Sequence, residues 1–253
     1  MKIGMCTAIE NAELCIKAGA DFIEVNNNKI SVMSDEEFEK ALELSIKYPG
    51  KFTTCNGLIP KDVRLTGENV DYDFVTEFCE KSFERLSRLG VKTLVFGSGG
   101  AKQVPEGFSF ETAMEQLVKC VRIFADVAAK YGQTVVIEPL RYQECNIINL
   151  VSESQKLAEL SERDNVKSHV DFFHMMQNGE TLTELKKYAA VLGHVHIASP
   201  VWRKIPAFDD GANYQAFIDI IRDGNPEQTV SYEGKSELDF DKLCTMFAFL
   251  KSL

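Results

Sequence analysis

Four short runs of β-branched and apolar residues in this chain each end on a side chain able to bind a metal ion. They are Val135-Val136-Ile137-Glu138, Ser168-His169-Val170-Asp171, Gly193-His194-Val195-His196 and Thr229-Val230-Ser231-Tyr232-Glu233. The intervals between Glu138, Asp171, His196 and Glu233 are 33, 25 and 37 residues. Each is about the length of a strand-helix-strand unit, ~30 residues. In parallel α/β folds the C-terminal strand ends face a shared crevice or barrel mouth, so residues distant in sequence converge there. Glu138, Asp171, His196 and Glu233 are therefore expected to meet around one divalent ion. Three carboxylates and one imidazole form a mostly hard oxygen site, suited to Mn²⁺ first, with Mg²⁺, Co²⁺ or Zn²⁺ as alternatives. A lone carboxylate at a strand end is often an exposed edge charge, but four ligand-type residues at four successive strand ends are hard to obtain that way.

For these residues to meet, strands and helices must alternate along the whole chain. Strand candidates Ile3–Thr7, Asp21–Val25, Phe52–Cys55 and Thr93–Phe96 are followed by helical patterns at Asn11–Ala18, Ser34–Ile46, Asp73–Leu89 and Phe110–Tyr131. Ser34-Asp35-Glu36-Glu37 reads as a capped helix start, and Gly19, Gly90 and Gly132 stop three of the helices. The later strands end on Glu138, at Asp171, at Ile197 and at Glu233, with helices expected at Ser152–Ser161, Thr181–Ala190, Asn213–Arg222 and Asp239–Leu250. Eight strands alternating with eight helices, without a linker or low-complexity run, predict an α/β fold: a single (β/α)₈ TIM barrel over residues 1–253. An open doubly wound sheet is the fallback. Long loops after strands three, four and seven surround the same mouth and could form a lid.

Composition narrows what such a barrel can act on. The chain has 253 residues, 45% hydrophobic and 26% charged, enough for one large domain with a substantial core. A formal charge of -10 opposes a sequence-independent grip on phosphate backbones, so nucleic acid is not an expected substrate. The first residues lack the apolar core of a signal peptide, and no run approaches the ~18 apolar residues of a membrane span. A cytoplasmic protein without a membrane partner is expected. The seven cysteines are an odd number without a Cys-x-x-Cys pair, which predicts reduced thiols, neither a disulfide framework nor a thiolate zinc site.

The segments Ile137-Glu138-Pro139-Leu140, Val170-Asp171-Phe172-Phe173-His174-Met175, Gly193-His194-Val195-His196-Ile197-Ala198 and Tyr232-Glu233-Gly234 carry a resemblance in their order and spacing. Together they resemble the xylose-isomerase-like TIM-barrel superfamily of sugar phosphate isomerases and epimerases, in the branch of D-tagatose 3-epimerase and hydroxypyruvate isomerase. The resemblance implies that Glu138, Asp171, His196 and Glu233 are the metal ligands, and that Glu138 and Glu233 are also catalytic proton-transfer groups. It further implies substrate contacts from Glu144, His174 and Arg203, the last standing one position later than the family spacing. Ser199-Pro200 replaces an acidic dipeptide region common in the family.

Other features have blander readings. His194 lies two residues before His196 on the same strand face, deeper in the barrel, where a hydrogen-bonded supporting role is favoured over ligation. His169 is placed similarly before Asp171 and is expected to pack or hydrogen-bond. Gly97-Ser98-Gly99-Gly100 could cradle a phosphate, but a flexible loop is favoured. Trp202 and Phe108 are candidates for covering substrate or simply apolar loop residues. The expected function is a divalent-metal-dependent ketose isomerase or epimerase that abstracts a proton beside a carbonyl and passes through an enediolate. Its partner is a small sugar or hydroxy-carbonyl substrate, and homo-oligomerisation is left open. The alternatives are a lyase or dehydratase of inosose type on the same scaffold, a phosphodiesterase of the apurinic-endonuclease kind and a non-catalytic sugar-binding barrel.

Overall fold

The structure is a computed structural model and describes residues 1–206, 210–235 and 238–253. Eight parallel strands close into a barrel in sequence order: β1 Lys2–Cys6, β2 Phe22–Asn26, β3 Phe52–Asn56, β4 Thr93–Phe96, β5 Thr134–Ile137, β6 Val166–Asp171, β7 Leu192–Ile197 and β8 Thr229–Tyr232. Closure is made by β1 against β8, with Gly4 opposite Ser231 and Met5 opposite Tyr232. The open-sheet fallback is thereby set aside.

The helices that cover the barrel are α1 Ala12–Ala18, α2 Asn27–Ile30, α3 Asp35–Lys47, α4 Tyr72–Leu89, α5 Gly99–Lys102 and α6 Phe110–Ala129. The second half adds α7 Val151–Ser161, α8 Phe172–Gln177, α9 Leu182–Leu185, α10 Tyr214–Gly224 and α11 Phe240–Ser252. Caps account for many of the boundaries. Ser34 and Glu37 form a reciprocal capping box at α3, and the side chains of Asp71, Ser109, Asn213 and Asp239 each accept a backbone N–H at the start of α4, α6, α10 and α11. Gly90, in the left-handed region at φ 98°, closes α4.

Strand alternation divides the core into two. Outward residues such as Val135, Ile137, Val170, Val195 and Ile197 are fully buried beneath the helices. Inward residues fill the barrel itself, and toward its C-terminal end they are polar: Glu24, His169, His194, His196 and Ser231 have no solvent exposure. No helix among the described residues is long and apolar enough to cross a membrane, and all seven cysteines are free.

The alternation expected from sequence holds, with local departures. The region expected as one helix over Thr181–Ala190 is instead the short α9 followed by a 3₁₀ turn at Ala189–Val191. That turn packs so closely on Gly224 of α10 that a Cβ there would strike the Ala189 backbone. The helix α8 was not anticipated; it begins directly after β6 because Asp171 Oδ1 accepts the N–H groups of Phe173 at 2.6 Å and His174 at 3.2 Å. The glycine segment favoured as a flexible loop is built into α5, whose first turn follows Ser98 held at φ 37°. The loop after β5, residues 138–150, joins the long loops around the mouth.

Candidate active site

Glu138 follows β5, Asp171 ends β6, His196 lies one residue before the end of β7 and Glu233 follows β8. Each stands where a strand delivers its residue to the barrel mouth. His196 Nδ1 lies 3.1 Å from Glu138 Oε1, 3.6 Å from Glu233 Oε2 and 4.0 Å from Asp171 Oδ2. All four residues expected as ligands therefore converge. The approach of Glu138 depends on Gly97 just after β4, where a Cβ would clash with the Glu138 carboxylate.

A second imidazole borders the same carboxylates. Ligand atoms of Glu138, Asp171, His174 and Glu233 lie within 4.8 Å of one another. The hydrogen bonds separate the two histidines. The Arg141 backbone N–H donates to His174 Nδ1 at 3.3 Å, and the Arg203 guanidinium lies 3.3 Å from His174 Nε2, which is 3.7 Å from Asp171 Oδ2, so donors face both ring nitrogens. Neither nitrogen is then free to bind a cation. His196 instead has Nε2 against the Glu24 carboxylate at 2.8 Å and aims Nδ1 at the three carboxylates, the arrangement seen when carboxylates orient metal-binding histidines.

The electrostatics of the pocket follow from crowding negative charge in a dry place. Burial, reinforced by Glu233, pushes Asp171 up to about 6 and raises Glu138. Burial also acts against ionisation of Glu233, but His196 and Arg203 outweigh it and hold its pKa below the ordinary carboxylate value. Burial opposes the charged form of His196 too, yet Glu24 and the surrounding acids hold its pKa well above that of a free imidazole. His174 is pushed down to about 4, chiefly by burial. Asp171 Oδ2 is buried and has no hydrogen-bond partner among the described residues, an arrangement that normally costs free energy unless a cation or water completes it. A buried set of three carboxylates with an orphaned oxygen and an oriented imidazole fits a divalent cation with oxygen preference.

Around this centre the residues expected to touch substrate form one network. Arg203 donates to Glu233 Oε2 at 2.7 Å and to Glu144 Oε1 at 3.2 Å, and Glu144 also accepts from Arg141 Nε at 2.7 Å. Both guanidiniums lie over the Phe173 ring, at 4.9 and 5.0 Å from its centre. Arg203 has φ 49°, a left-handed backbone uncommon for a non-glycine residue and costly enough to suggest a functional constraint. Trp202 beside it is exposed, Phe108 only partly so.

Several supporting residues escape sequence reading. Asn56 donates to Glu233 Oε1 at 2.9 Å, so both Glu233 oxygens are held. Lys102 is fully buried and donates its ammonium to the Glu138 carbonyl at 2.8 Å; burial lowers its pKa. Nothing in the sequence around Lys102 distinguishes it from a surface lysine. Glu24 did carry a signal: a carboxylate inside the apolar run Phe22-Ile23-Glu24-Val25, on the inward face shared with Phe22. His194 is hydrogen-bonded below the centre as expected, to Glu24 and to Thr229. His169 packs edge-on against His196 without a hydrogen bond among the described residues.

Comparison with known proteins agrees with this architecture. A family model described as a xylose isomerase-like TIM barrel matches residues 12–247. The chain is 28% identical to 3-dehydro-D-guloside 4-epimerase of Escherichia coli over 116 residues, 46% of this chain and 44% of that protein. It is 32% identical to 2-oxo-tetronate isomerase of Haemophilus influenzae over 122 residues, 47% of this chain and 46% of the relative. These matches span about half the length of each relative. Among solved structures, a D-psicose 3-epimerase in the presence of D-fructose superposes with a TM-score of 0.86 at 19% identity, covering 100% of this chain and 97% of the other.

Proposed function

From the premise that this chain belongs to the xylose isomerase-like TIM barrel family, we propose that it is a divalent-metal-dependent isomerase or epimerase of a ketose or related hydroxy-carbonyl compound. The observation that carries the reading is the convergence of Glu138, Asp171 and Glu233 on Nδ1 of His196 at the barrel mouth. The names of the relatives, sugar epimerases and isomerases, support the same class. Glu138, Asp171, His196 and Glu233 would hold the ion, with Mn²⁺ the first choice. When bound, it would supply Lewis-acid stabilisation of the negative charge that develops on an enediolate, worth several kcal/mol.

The chain's own residues supply the proton chemistry. Glu138 and Glu233 reach the centre from β5 and β8, with β6 and β7 between them, so the two carboxylates approach a bound substrate from different strands. One removes the proton beside the carbonyl, and the other can deliver one to the opposite face. Return to the opposite face of the same carbon epimerises it; return to the neighbouring carbon isomerises. Asn56 and Arg203 keep Glu233 aimed, while Lys102 and Gly97 fix the position of Glu138. The seven free thiols suit the reducing cytoplasm we assign to it.

The decisive experiment is turnover of a ketose, inosose and hydroxypyruvate panel in D₂O with Mn²⁺. Proton abstraction places solvent deuterium on the carbon that regains a proton. Complete transfer of a substrate-derived deuterium to the neighbouring carbon, without solvent label, would refute the mechanism. Loss of water from the substrate would assign the chain to the dehydratases instead.

Glu144, His174 and Arg203 are proposed to orient substrate oxygens. Replacing any of them with Ala should lower kcat/KM by roughly 10- to 100-fold, the worth of one hydrogen bond to a charged group. Metal affinity should stay near the wild-type value in calorimetric titration. Loss of metal along with activity would make them ligands or structural supports.

A further inference from the structure

Glu24 lies on β2, beneath the four residues at the mouth, and is fully buried. It stands at a register shift between Ile23 and Glu24 in the pairing with β3, an irregularity of the kind that re-aims side chains beside functional sites. An ionised carboxylate in that position is costly unless its oxygens are satisfied. Oε1 meets His196 Nε2 at 2.8 Å; Oε2 meets His194 Nε2 at 2.8 Å and the Ser231 hydroxyl at 2.7 Å. Burial acts against its charge, but His196 and His194 hold its pKa well below the ordinary carboxylate value.

We propose that Glu24 is a positioning residue that fixes the proton of His196 on Nε2 and thereby reserves Nδ1 for the ion; this rests on the metal reading above. A carboxylate only accepts hydrogen bonds, so all three of its partners must donate. His196 therefore carries a proton on Nε2, whether or not Nδ1 is protonated before a cation arrives. Nδ1 is the nitrogen that faces Glu138, Asp171 and Glu233. His194, donating through Nε2, takes the Thr229 hydroxyl on Nδ1 at 2.7 Å and cannot draw Glu24 away from its task. The other group near His196 Nε2 is Cys6 Sγ at 3.9 Å, a weak acceptor at long range. The His169 ring closes the side of His196 at 4.3 Å between centroids, nearly perpendicular to it, and offers no competing hydrogen bond.

Glu24→Gln keeps the shape and replaces one acceptor by a donor. In either orientation the amide removes the negative charge that holds the Nε2 proton, and with its NH₂ turned to His196 Nε2 it drives that proton to Nδ1, where it obstructs the ion. Calorimetric titration with Mn²⁺ should show affinity falling by roughly 10- to 100-fold in Glu24→Gln, the usual cost of losing a carboxylate behind a metal-binding histidine. Ser231→Ala leaves both histidine bonds intact and should lose less. In the metal-free wild type, ¹⁵N-histidine NMR should find His196 protonated at Nε2, and Glu24→Gln should move or abolish that signal. Affinity within about twofold of wild type in a natively folded Glu24→Gln protein, against the 10- to 100-fold expected, would overturn the proposal. So would an unprotonated Nε2 in the wild type, a measurement that stands even if Glu24→Gln fails to fold. A wild-type protein that binds no divalent metal would overturn the metal reading, and the same NMR signal would then decide the role of Glu24 independently.

Discussion

Glu233→Gln should reduce kcat by ~10²- to 10⁴-fold, the contribution of a positioned acid or base, with little change in fold. The substitution removes the charge and basicity of a carboxylate whose two oxygens are held by Asn56 and Arg203 at 2.9 and 2.7 Å. That clamp aims the group, and the positive charge of Arg203 and His196 keeps it ionised against the burial that opposes ionisation. Glu138→Gln should have an effect of similar size. The two environments differ, since burial and Glu233 raise the pKa of Glu138 while Glu233 is held low. The two variants are therefore expected to fail differently. One should still exchange the α-proton of one substrate epimer with D₂O without completing the conversion, because its remaining glutamate serves one face only. NMR of recovered substrate reads that exchange directly. Near wild-type turnover in both variants would remove these residues from the chemistry.

Stripping the protein with a chelator should abolish turnover, and Mn²⁺ should restore it. The physical basis is the crowding of acidic groups at the mouth: three carboxylates, one of them with an orphaned buried oxygen, surround a single oriented imidazole. A cation completes that arrangement and binds the native state selectively. At a concentration 100 times its Kd it should therefore add ~2.7 kcal/mol of stability, visible as a rise in Tm. His196→Ala should lose both the restored turnover and the stabilisation. Calorimetry separates this from mere instability, since the variant's metal-free Tm can be compared with that of the metal-free wild type. Metal binding should also release protons. His196 is held protonated well above its usual range and Asp171 is pushed up to about 6, so a cation displaces a proton from His196 at and above neutrality and from Asp171 as well near pH 6. Affinity is then expected to weaken as pH decreases, first through the His196 range and more steeply near 6. Unchanged Tm and metal affinity in His196→Ala would place the ion, if any, elsewhere.

The linear chain by itself determined the barrel and its mouth. Alternating apolar periodicity, helix caps such as Ser34 with Glu37, and a ligand-type residue at the end of each of the last four strands are local features, and local features survive in a one-dimensional reading. Parallel topology then requires those strand ends to meet, so the sequence alone groups Glu138, Asp171, His196 and Glu233. Their neighbours Glu144, His174 and Arg203 followed from resemblance, and the fold brings them together as well.

Tertiary structure alone decided how each side chain is held. Lys102 reaches the carbonyl of Glu138 from the end of α5, Asn56 reaches Glu233 across the barrel, and Glu24 meets His196 from 172 residues away. Such pairings depend on barrel closure and on which layer a strand residue occupies, and a register shift of one residue would turn Glu24 to the other face. The surroundings of His174 and His196 were also decided in three dimensions: a backbone N–H meets one imidazole and a carboxylate faces the other. Hydrogen-bond direction depends on which donors and acceptors packing leaves beside each ring, and residue type and spacing do not encode that arrangement.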